Sequence, residues 1–246
     1  MVILGFAGSG KTTLVGGFGR WLCEEQGLRI ASANLDPGAS ALPYAPDFDI
    51  RELFTLEEVM EREGLGPNGA LVRCSELMEE RASEIARRIS DLDADYILID
   101  TPGQMEIFLF RTSGPAILSR LDRAPSVGLL LLDPSLISSL SGLATAYALS
   151  LIASFRLDMP SFPILNKIDL PEASRIRSFL VEKSCLLEEL SKERGVAAEL
   201  AGRFLKASLE FELPTRLVCI SALSALGFDE LYDLIRESLC ACGDLT

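Results

Sequence analysis

The chain has 246 residues, a length that indicates one large domain or a domain with an insertion. Hydrophobic residues make up 48% and charged residues 24%, which excludes disorder as the main state. The net charge of −13 disfavours direct binding of bare nucleic acid or anionic lipid. The sequence has no histidine, which excludes Ser-His-Asp and Cys-His catalysis and zinc sites with histidine ligands.

Short apolar runs alternate with longer amphipathic segments along the chain. Strands are predicted at residues 1–4, 29–35, 96–99, 127–132, 162–165 and 217–220. Helices are predicted at residues 11–26, 56–63, 75–92, 171–193, 197–211 and 228–239. Thr55 and Glu58 predict a capping box at the second helix. Apolar strands separated by helices indicate an α/β fold with a mainly parallel sheet covered by helices on both faces.

The sequence predicts a single domain over residues 1–246, since no linker divides it, with a helical subdomain at residues 171–212. The segment 134–155 has no charged residue, but its seven Ser and Thr residues favour a buried or interface helix over a membrane span. The first apolar run is too short for a signal peptide. We therefore expect a cytoplasmic protein with no membrane span.

The segment from Gly5 to Thr12 fits the phosphate-binding pattern G-x-x-x-x-G-K-[ST] between a predicted strand and a predicted helix. Glycines allow backbone N–H groups to surround phosphate oxygens, and the helix N-terminus adds partial positive charge. Lys11 would reach the β- and γ-phosphates, and the Thr12 hydroxyl would bind Mg²⁺. A glycine-rich turn with a chance Lys-Thr pair is the alternative. The predicted phosphate-binding residues are Gly8, Ser9, Gly10, Lys11, Thr12 and Thr13.

Two further predicted strands end in an acid. Asp100 can hold Mg²⁺ beside the phosphate loop, and Gly103 offers an N–H that can sense a γ-phosphate. Gln104 can orient an attacking water because an amide both donates and accepts hydrogen bonds. Asp36 can contact the Mg²⁺ shell or accept the proton of that water. An ordinary turn around residue 100 and a helix cap or Asx-turn at Asp36 are the alternatives.

Asn166, Lys167 and Asp169 follow the predicted strand 162–165. One carboxylate can accept hydrogen bonds from both N1–H and the N2 amino group of guanine. Adenine offers neither donor, so it would leave Asp169 dehydrated and unpaired. The alternative is an exposed turn. The next strand is followed by a loop whose backbone N–H groups can contact guanine O6; its residues are Ser221, Ala222 and Leu223.

Gly66, Pro67 and Asn68 fall in the connection after the predicted helix 56–63. By local chemistry alone this tripeptide is a turn, which Gly69 reinforces after the asparagine.

Taken together and in this order, these motifs between residues 5 and 223 resemble the GPN-loop GTPases, of the SIMIBI class. The resemblance implies a three-layer P-loop NTPase fold with a helical insertion. It implies a homodimer in which the loop Gly66–Asn68 crosses the interface and brings Asn68 to the partner's nucleotide. It also implies GTP hydrolysis with Mg²⁺ at Thr12 and Asp100.

Within this resemblance, Asp36, Gln104 and Asn68 are the catalytic candidates. The crossing loop agrees with phosphoryl-transfer chemistry, which needs donors aimed at the γ-phosphate, because the sequence shows no obvious arginine finger.

Three functions follow from these patterns. The first is a GTPase that converts GTP to GDP and acts as a molecular switch through its dimer. The second is a GTP-dependent assembly factor or chaperone-like module with little turnover, which binds a protein or peptide at the segment 134–155. The third is a small-molecule kinase, in which a guanine-specific Asp169 has no purpose.

Overall fold

A computed structural model describes residues 1–121, 125–137, 139–174, 176, 195–210 and 217–243. Its centre is a seven-stranded parallel sheet with the order β3-β2-β4-β1-β5-β6-β7. The strands are β1 Val2–Gly5, β2 Ile30–Asn34, β3 Phe48–Asp49, β4 Tyr96–Asp100, β5 Gly128–Leu132, β6 Ser161–Leu165 and β7 Val218–Cys219. Because every pair of neighbours is parallel, the carboxyl ends of all seven strands lie at one edge.

Nine α-helices are described over these ranges. They are α1 Lys11–Gln26, α2 Leu56–Glu63, α3 Pro67–Glu80, α4 Ala82–Ser90, α5 Met105–Phe110, α6 Ser113–Leu118, α7 Leu140–Leu157, α8 Val196–Glu210 and α9 Phe228–Gly243. Short 3-10 turns occupy Ile50–Glu52 and Pro134–Ile137. The capping box of Thr55 and Glu58 at the start of α2 is confirmed.

Alternating side chains along the strands build a core on each face of the sheet. In β1, Val2 and Leu4 join the cluster covered by α2 to α7, whereas Ile3 joins the cluster covered by α1 and α9. In the second cluster, Phe18 of α1 packs edge-on against Phe228 of α9, with ring centroids 5.1 Å apart. The predicted three-layer fold with a parallel sheet is therefore confirmed.

The predicted strands all appear, with shifts of a residue or two at their ends. The seventh strand, β3, escaped prediction because two residues carry no periodicity. The predicted helix 75–92 is wrong in its bounds, since α3 begins earlier and α4 starts after a break at Arg81. The predicted helix 171–193 lies largely outside the described residues, and the helical subdomain at 171–212 stays a prediction.

The uncharged segment 134–155 forms the second 3-10 turn and most of α7. Ala144 and Tyr147 of α7 pack against Ala201 and Leu205 of α8, so the segment is mostly covered. The side chain of Phe155 is 77% exposed. Across the described ranges, no helix is both long and apolar enough to cross a membrane.

Gly114 tests the close approach of α5 and α6. A Cβ at this position would lie 2.3 Å from the carbonyl oxygen of Phe108. Because this oxygen belongs to the main chain, relieving the clash would require the backbone to move. Gly114→Ala should destabilise the protein by about 1–3 kcal/mol through overpacking. Gly69→Ala is the matched control, because a Cβ there makes only ordinary contacts and alanine favours a helix. Denaturant unfolding of both variants measures the effect, and equal stability would contradict the packing.

Candidate functional site

The phosphate loop connects β1 to the first turn of α1. Gly10 precedes this helix with φ +96°, a conformation that residues with a Cβ rarely adopt. A Cβ there would also lie 2.4 Å from Nδ2 of Asn166. The first N–H groups of α1 point from this loop toward the carboxyl edge of the sheet, where they favour an anion.

A cavity of about 660 Å³ opens at this edge, a size typical of small-molecule sites. It brings together most of the residues predicted for phosphate, metal and water. The predicted residues in its wall are Gly8, Gly10, Lys11, Thr12, Thr13, Asp36, Pro67, Asn68 and Gln104. Gly103, predicted to sense a γ-phosphate, also lines it.

Lys11 supplies the positive charge of the cavity. Its Nζ donates to the carbonyl oxygens of Gly5, at 3.0 Å, and Phe6, at 3.3 Å. Burial lowers the pKa of Lys11, and the carboxylates of Asp100 and Asp36 oppose this shift. The ammonium group is thus held at the phosphate loop, where phosphate oxygens can replace the carbonyl partners.

Asp100 ends β4 beneath the phosphate loop and is 1% exposed. Its Oδ2 accepts a hydrogen bond from the hydroxyl of Tyr44 at 3.1 Å, whereas its Oδ1 is buried without a hydrogen-bond partner. Burial raises the pKa of Asp100 to about 6, although the nearby hydroxyls of Thr12 and Tyr44 and the charge of Lys11 oppose the rise.

A buried carboxylate oxygen without a partner, next to the hydroxyl of Thr12, fits Mg²⁺. Within the described ranges, no group of three or more Cys, Asp or Glu residues is arranged to hold a metal. Mg²⁺ typically binds one or two carboxylates and completes its octahedral shell with water and substrate phosphates. The donor set of Thr12 and Asp100 therefore suits a metal that arrives with a nucleotide.

Asp36 joins two loops of the site. Its Oδ1 accepts from the N–H of Gly38 at 2.9 Å, and its Oδ2 accepts from the N–H of Gly103 at 3.0 Å. Gln104 immediately precedes α5, but its side chain makes no capping hydrogen bond. Gln104 lines the cavity, where its side-chain amide can contact a ligand.

The Gly-Pro-Asn motif begins a helix, so its interpretation as a turn is wrong. Gly66 is extended at φ −72° and ψ 167°, and Pro67 occupies the first helical position of α3. Proline suits this position because its ring fixes a helical φ and no partner is needed for an N–H. Asn68 is exposed and lines the cavity of its own chain.

A second pocket, of about 230 Å³, adjoins the phosphate cavity at Gly10 and Thr13. It contains every residue that the sequence predicts for guanine. These are Asn166, Lys167, Asp169, Ser221, Ala222 and Leu223. Asp169 is exposed at the pocket.

Asn166 holds the loops of the second pocket together. Its Nδ2 donates to the carbonyl oxygen of Ser9 at 2.8 Å, and its Oδ1 accepts from the N–H of Ala222 at 2.9 Å. The N–H of Ser221 donates to Leu226 at 3.0 Å. Within this loop, the N–H of Leu223 is therefore the predicted donor that remains for a ligand.

Sequence reasoning missed several residues that support the site. Tyr44 reaches Asp100 from the long connection between β2 and β3, and no local pattern announces this contact. Asp133 directly follows β5 and pairs with Lys167 at 2.6 Å. The sequence did carry a signal for Asp133, because it is an acid directly after a predicted strand, as Asp36 and Asp100 are. Asn34, Asp49 and Arg51 form a hydrogen-bonded network behind Asp36.

The parallel sheet, the glycine-rich loop before α1 and the lysine at its cavity define a P-loop NTPase fold. Residues 3–241 match a family model described as a conserved hypothetical ATP binding protein. The chain is 38% identical to the GPN-loop GTPase PAB0955 of Pyrococcus abyssi, an alignment covering 100% of this chain and 99% of that protein. The crystal structure of PAB0955 in apo form superposes with a TM-score of 0.89 at 36% identity, covering 98% and 97% of the two chains.

A second relative is the GPN-loop GTPase QQT1 of Arabidopsis thaliana. It is 37% identical over 173 residues, which are 69% of this chain and 58% of that protein. The chain belongs to the GPN-loop GTPase family.

Asp100→Asn should raise the Tm of the nucleotide-free protein by a few degrees. The reason is that burial disfavours the charge of Asp100, as its raised pKa indicates, and asparagine carries none. Asp95→Asn is the matched control. The exposed pair with Arg29 lowers the pKa of Asp95, so removing this charge should not raise the Tm. Thermal unfolding decides, and a lower Tm for Asp100→Asn would contradict the account of its burial.

Proposed function

We propose that the chain binds GTP with Mg²⁺, hydrolyses it to GDP and phosphate, and acts as a homodimeric molecular switch. Membership of the GPN-loop GTPase family supports the hydrolysis of GTP. The observation that carries the proposal is the junction of the two pockets at Gly10 and Thr13, which allows one nucleotide to span both. The phosphates would occupy the cavity at Lys11, and the base would lie against Asp169.

The choice of nucleotide depends on the base pocket. The description of the matching family model names ATP as the ligand. Asp169 instead favours guanine, because its carboxylate can accept hydrogen bonds from N1–H and the N2 amino group. The exposed carboxylate of Asp169 is available for this contact. The N–H of Leu223 can donate to guanine O6, an acceptor that adenine lacks. These contacts support GTP as the substrate.

Thr12 and Asp100 would hold Mg²⁺, which when bound neutralises charge on the phosphates. Gln104 would orient the attacking water, since its amide can donate and accept at once. Asp36 already accepts from Gly38 and Gly103, but each carboxylate oxygen has a further lone pair that can accept from water. Asp36 can thus take the proton of the attacking water.

The hydrogen bond from Gly103 to Asp36 supports the switch. A γ-phosphate in the cavity would be a competing acceptor for the same N–H, and GDP lacks that acceptor. Gln104 and α5 follow Gly103 directly in the chain, and α5 contacts α3, α6 and α7. Exchange of one hydrogen bond can therefore move the surface formed by these helices.

The dimer would complete the phosphate site. None of the described residues that line the cavity is an arginine. Asn68 is exposed at the rim, and a partner subunit that covers this rim would face it. We expect Asn68 of each subunit to contact the nucleotide of its partner and to stabilise charge that develops during hydrolysis.

An assembly factor with little turnover is the second candidate. Phe110 of α5 is 52% exposed, and Ile152 and Phe155 of α7 are 37% and 77% exposed. Arg156 of α7 donates to the carbonyl oxygen of Phe110 at 3.1 Å, so these apolar side chains lie on neighbouring helices. They favour a protein or peptide partner beside the segment 134–155. Tight GTP binding without turnover would support this function over the switch.

Asp169→Asn tests the choice of nucleotide. An amide cannot accept from both guanine donors, so GTP affinity should fall about 100-fold. Xanthosine triphosphate carries a C2 carbonyl in place of the amino group, so its affinity should rise. Competition binding with GTP, ATP and xanthosine triphosphate measures both effects. The exposed Asp158→Asn is the control and should leave all three affinities unchanged. Unchanged GTP affinity for Asp169→Asn would refute the assignment of the base pocket.

Asn68→Ala tests the role of the Gly-Pro-Asn motif. The loss of one donor to the transition state should lower kcat about 100-fold while GTP binding and Tm stay near those of the parent. Glu61→Ala is the control, because Glu61 is exposed on α2 and does not line the cavity. Single-turnover hydrolysis separates chemistry from binding, and an unchanged rate would demote Asn68 to a structural role.

Mixing two impaired variants shows which subunit uses Asn68. Lys11→Ala should abolish tight GTP binding, because the phosphate loses its counter-charge, but it keeps Asn68, whereas Asn68→Ala keeps the phosphate site. If Asn68 acts across the interface, the mixture should hydrolyse GTP faster than either variant alone. A mixture no faster than the sum of its parts would place Asn68 in its own chain's site.

A further inference from the structure

A buried polar network lies directly behind Asp36 and outside the nucleotide cavity. Asn34, the last residue of β2, has no exposed surface. Its Oδ1 accepts from the N–H of Asp36 at 3.0 Å, and its Nδ2 donates to the carbonyl oxygen of Asp36 at 3.2 Å. The side-chain amide of Asn34 thus binds both the N–H and the carbonyl oxygen of Asp36.

Asp49 fixes the orientation of that amide. It is the last residue of β3, paired with Asn34 in the sheet, and its Oδ1 accepts from Nδ2 of Asn34 at 3.0 Å. Burial raises the pKa of Asp49, but hydrogen bonds from Arg51 and Asn34 outweigh it and hold the pKa below its ordinary value. The carboxylate is therefore ionised at neutral pH and can only accept, so the amide must present its oxygen to Asp36.

Arg51 closes the network on the other side of Asp36. Its Nε and Nη2 donate to Asp49 at 3.0 and 2.6 Å, and its Nη1 donates to the carbonyl oxygen of Ala39 at 2.8 Å. The chain segment from Asp36 to Ala39 is consequently held at both ends. A planar guanidinium can make these contacts together, whereas an ammonium group cannot match its geometry.

We propose that Asn34, Asp49 and Arg51 are positioning residues that hold the Asp36 carboxylate at the cavity, where Gly103 donates to it in the nucleotide-free protein. None of the three lines the nucleotide cavity, so they would act on hydrolysis through Asp36 alone. The inference rests on the role of Asp36 in the proposed function. β3 has only two residues, so its ladder contributes few hydrogen bonds, and the side chains supply the alignment that a longer strand would give.

Arg51→Lys keeps the charge but loses the planar fork, so Asp36 should shift and kcat for GTP should fall at least ~10-fold. The affinity for GDP should stay within about two-fold of the parent, because the network does not contact the cavity. Arg29→Lys is the matched control, since Arg29 makes a similar fork with Asp93 and Asp95 on the exposed surface.

A double-mutant cycle distinguishes positioning from general stability. In an Asp36→Ala background, Arg51→Lys should cause no further loss of kcat, because its target is gone. Hydrogen exchange of the Gly103 amide in the nucleotide-free protein gives a readout without catalysis, and Arg51→Lys should accelerate it. Asn34→Ser provides a second variant that should show the same pattern if Arg51→Lys folds poorly.

The outcomes separate the two proposals. If Asp36→Ala leaves kcat unchanged, the catalytic role of Asp36 in the proposed function fails. In that case, faster exchange of the Gly103 amide in Arg51→Lys still supports the positioning network. If Arg51→Lys lowers kcat equally with and without Asp36, the network acts through stability and the inference is overturned. Unchanged kcat and unchanged exchange in Arg51→Lys and Asn34→Ser would also overturn it.

Discussion

The site depends on buried hydrogen bonds that tie the loops at the carboxyl edge of the sheet to one another. Asn166 joins the phosphate loop to the loop after β7, and Thr101 after β4 donates from Oγ1 to the carbonyl oxygen of Ile3 in β1 at 2.7 Å. Asp36 joins the loop after β2 to Gly103. In a parallel sheet these loops start side by side, so one side chain can bridge two of them. Loss of one bridge leaves a buried polar group unpaired, which is why such contacts hold the site firmly.

Several polar groups of the site have partners that a ligand could replace, or no partner at all. The ammonium of Lys11 rests on carbonyl oxygens, Oδ1 of Asp100 has no partner, and the N–H of Gly103 rests on Asp36. A nucleoside triphosphate with Mg²⁺ would offer each of these groups a new partner. In the nucleotide-free protein, the groups that can change hydrogen-bond partner thus lie within a firmly held set of loops. A change of partner at Gly103 can then move α5 and the helices around it, as the proposed switch requires.

Much of the fold and the site was accessible from the sequence because the signals are local. Apolar runs located six strands, and the spacing of glycines and Lys11 located the phosphate loop. The start of α3 carried a readable signal too, since Pro67 suits a first helical position, but the following Asn-Gly pair favoured a turn. The link between Asn34 and Asp49 could not be read, because a two-residue strand has no periodicity and these residues lie 15 apart in the chain. The bond from Tyr44 to Asp100 spans 56 residues.

The most direct test of the account is steady-state hydrolysis of GTP and of ATP by the purified chain with Mg²⁺, measured over a series of protein concentrations. We expect a GTP-selective rate whose specific activity rises with concentration if, as proposed, the base pocket selects guanine and the partner subunit completes the phosphate site. A preference for ATP would contradict the role of Asp169. A GTP rate whose specific activity stays constant from conditions in which the chain is monomeric to those in which it is dimeric would contradict catalysis across the interface.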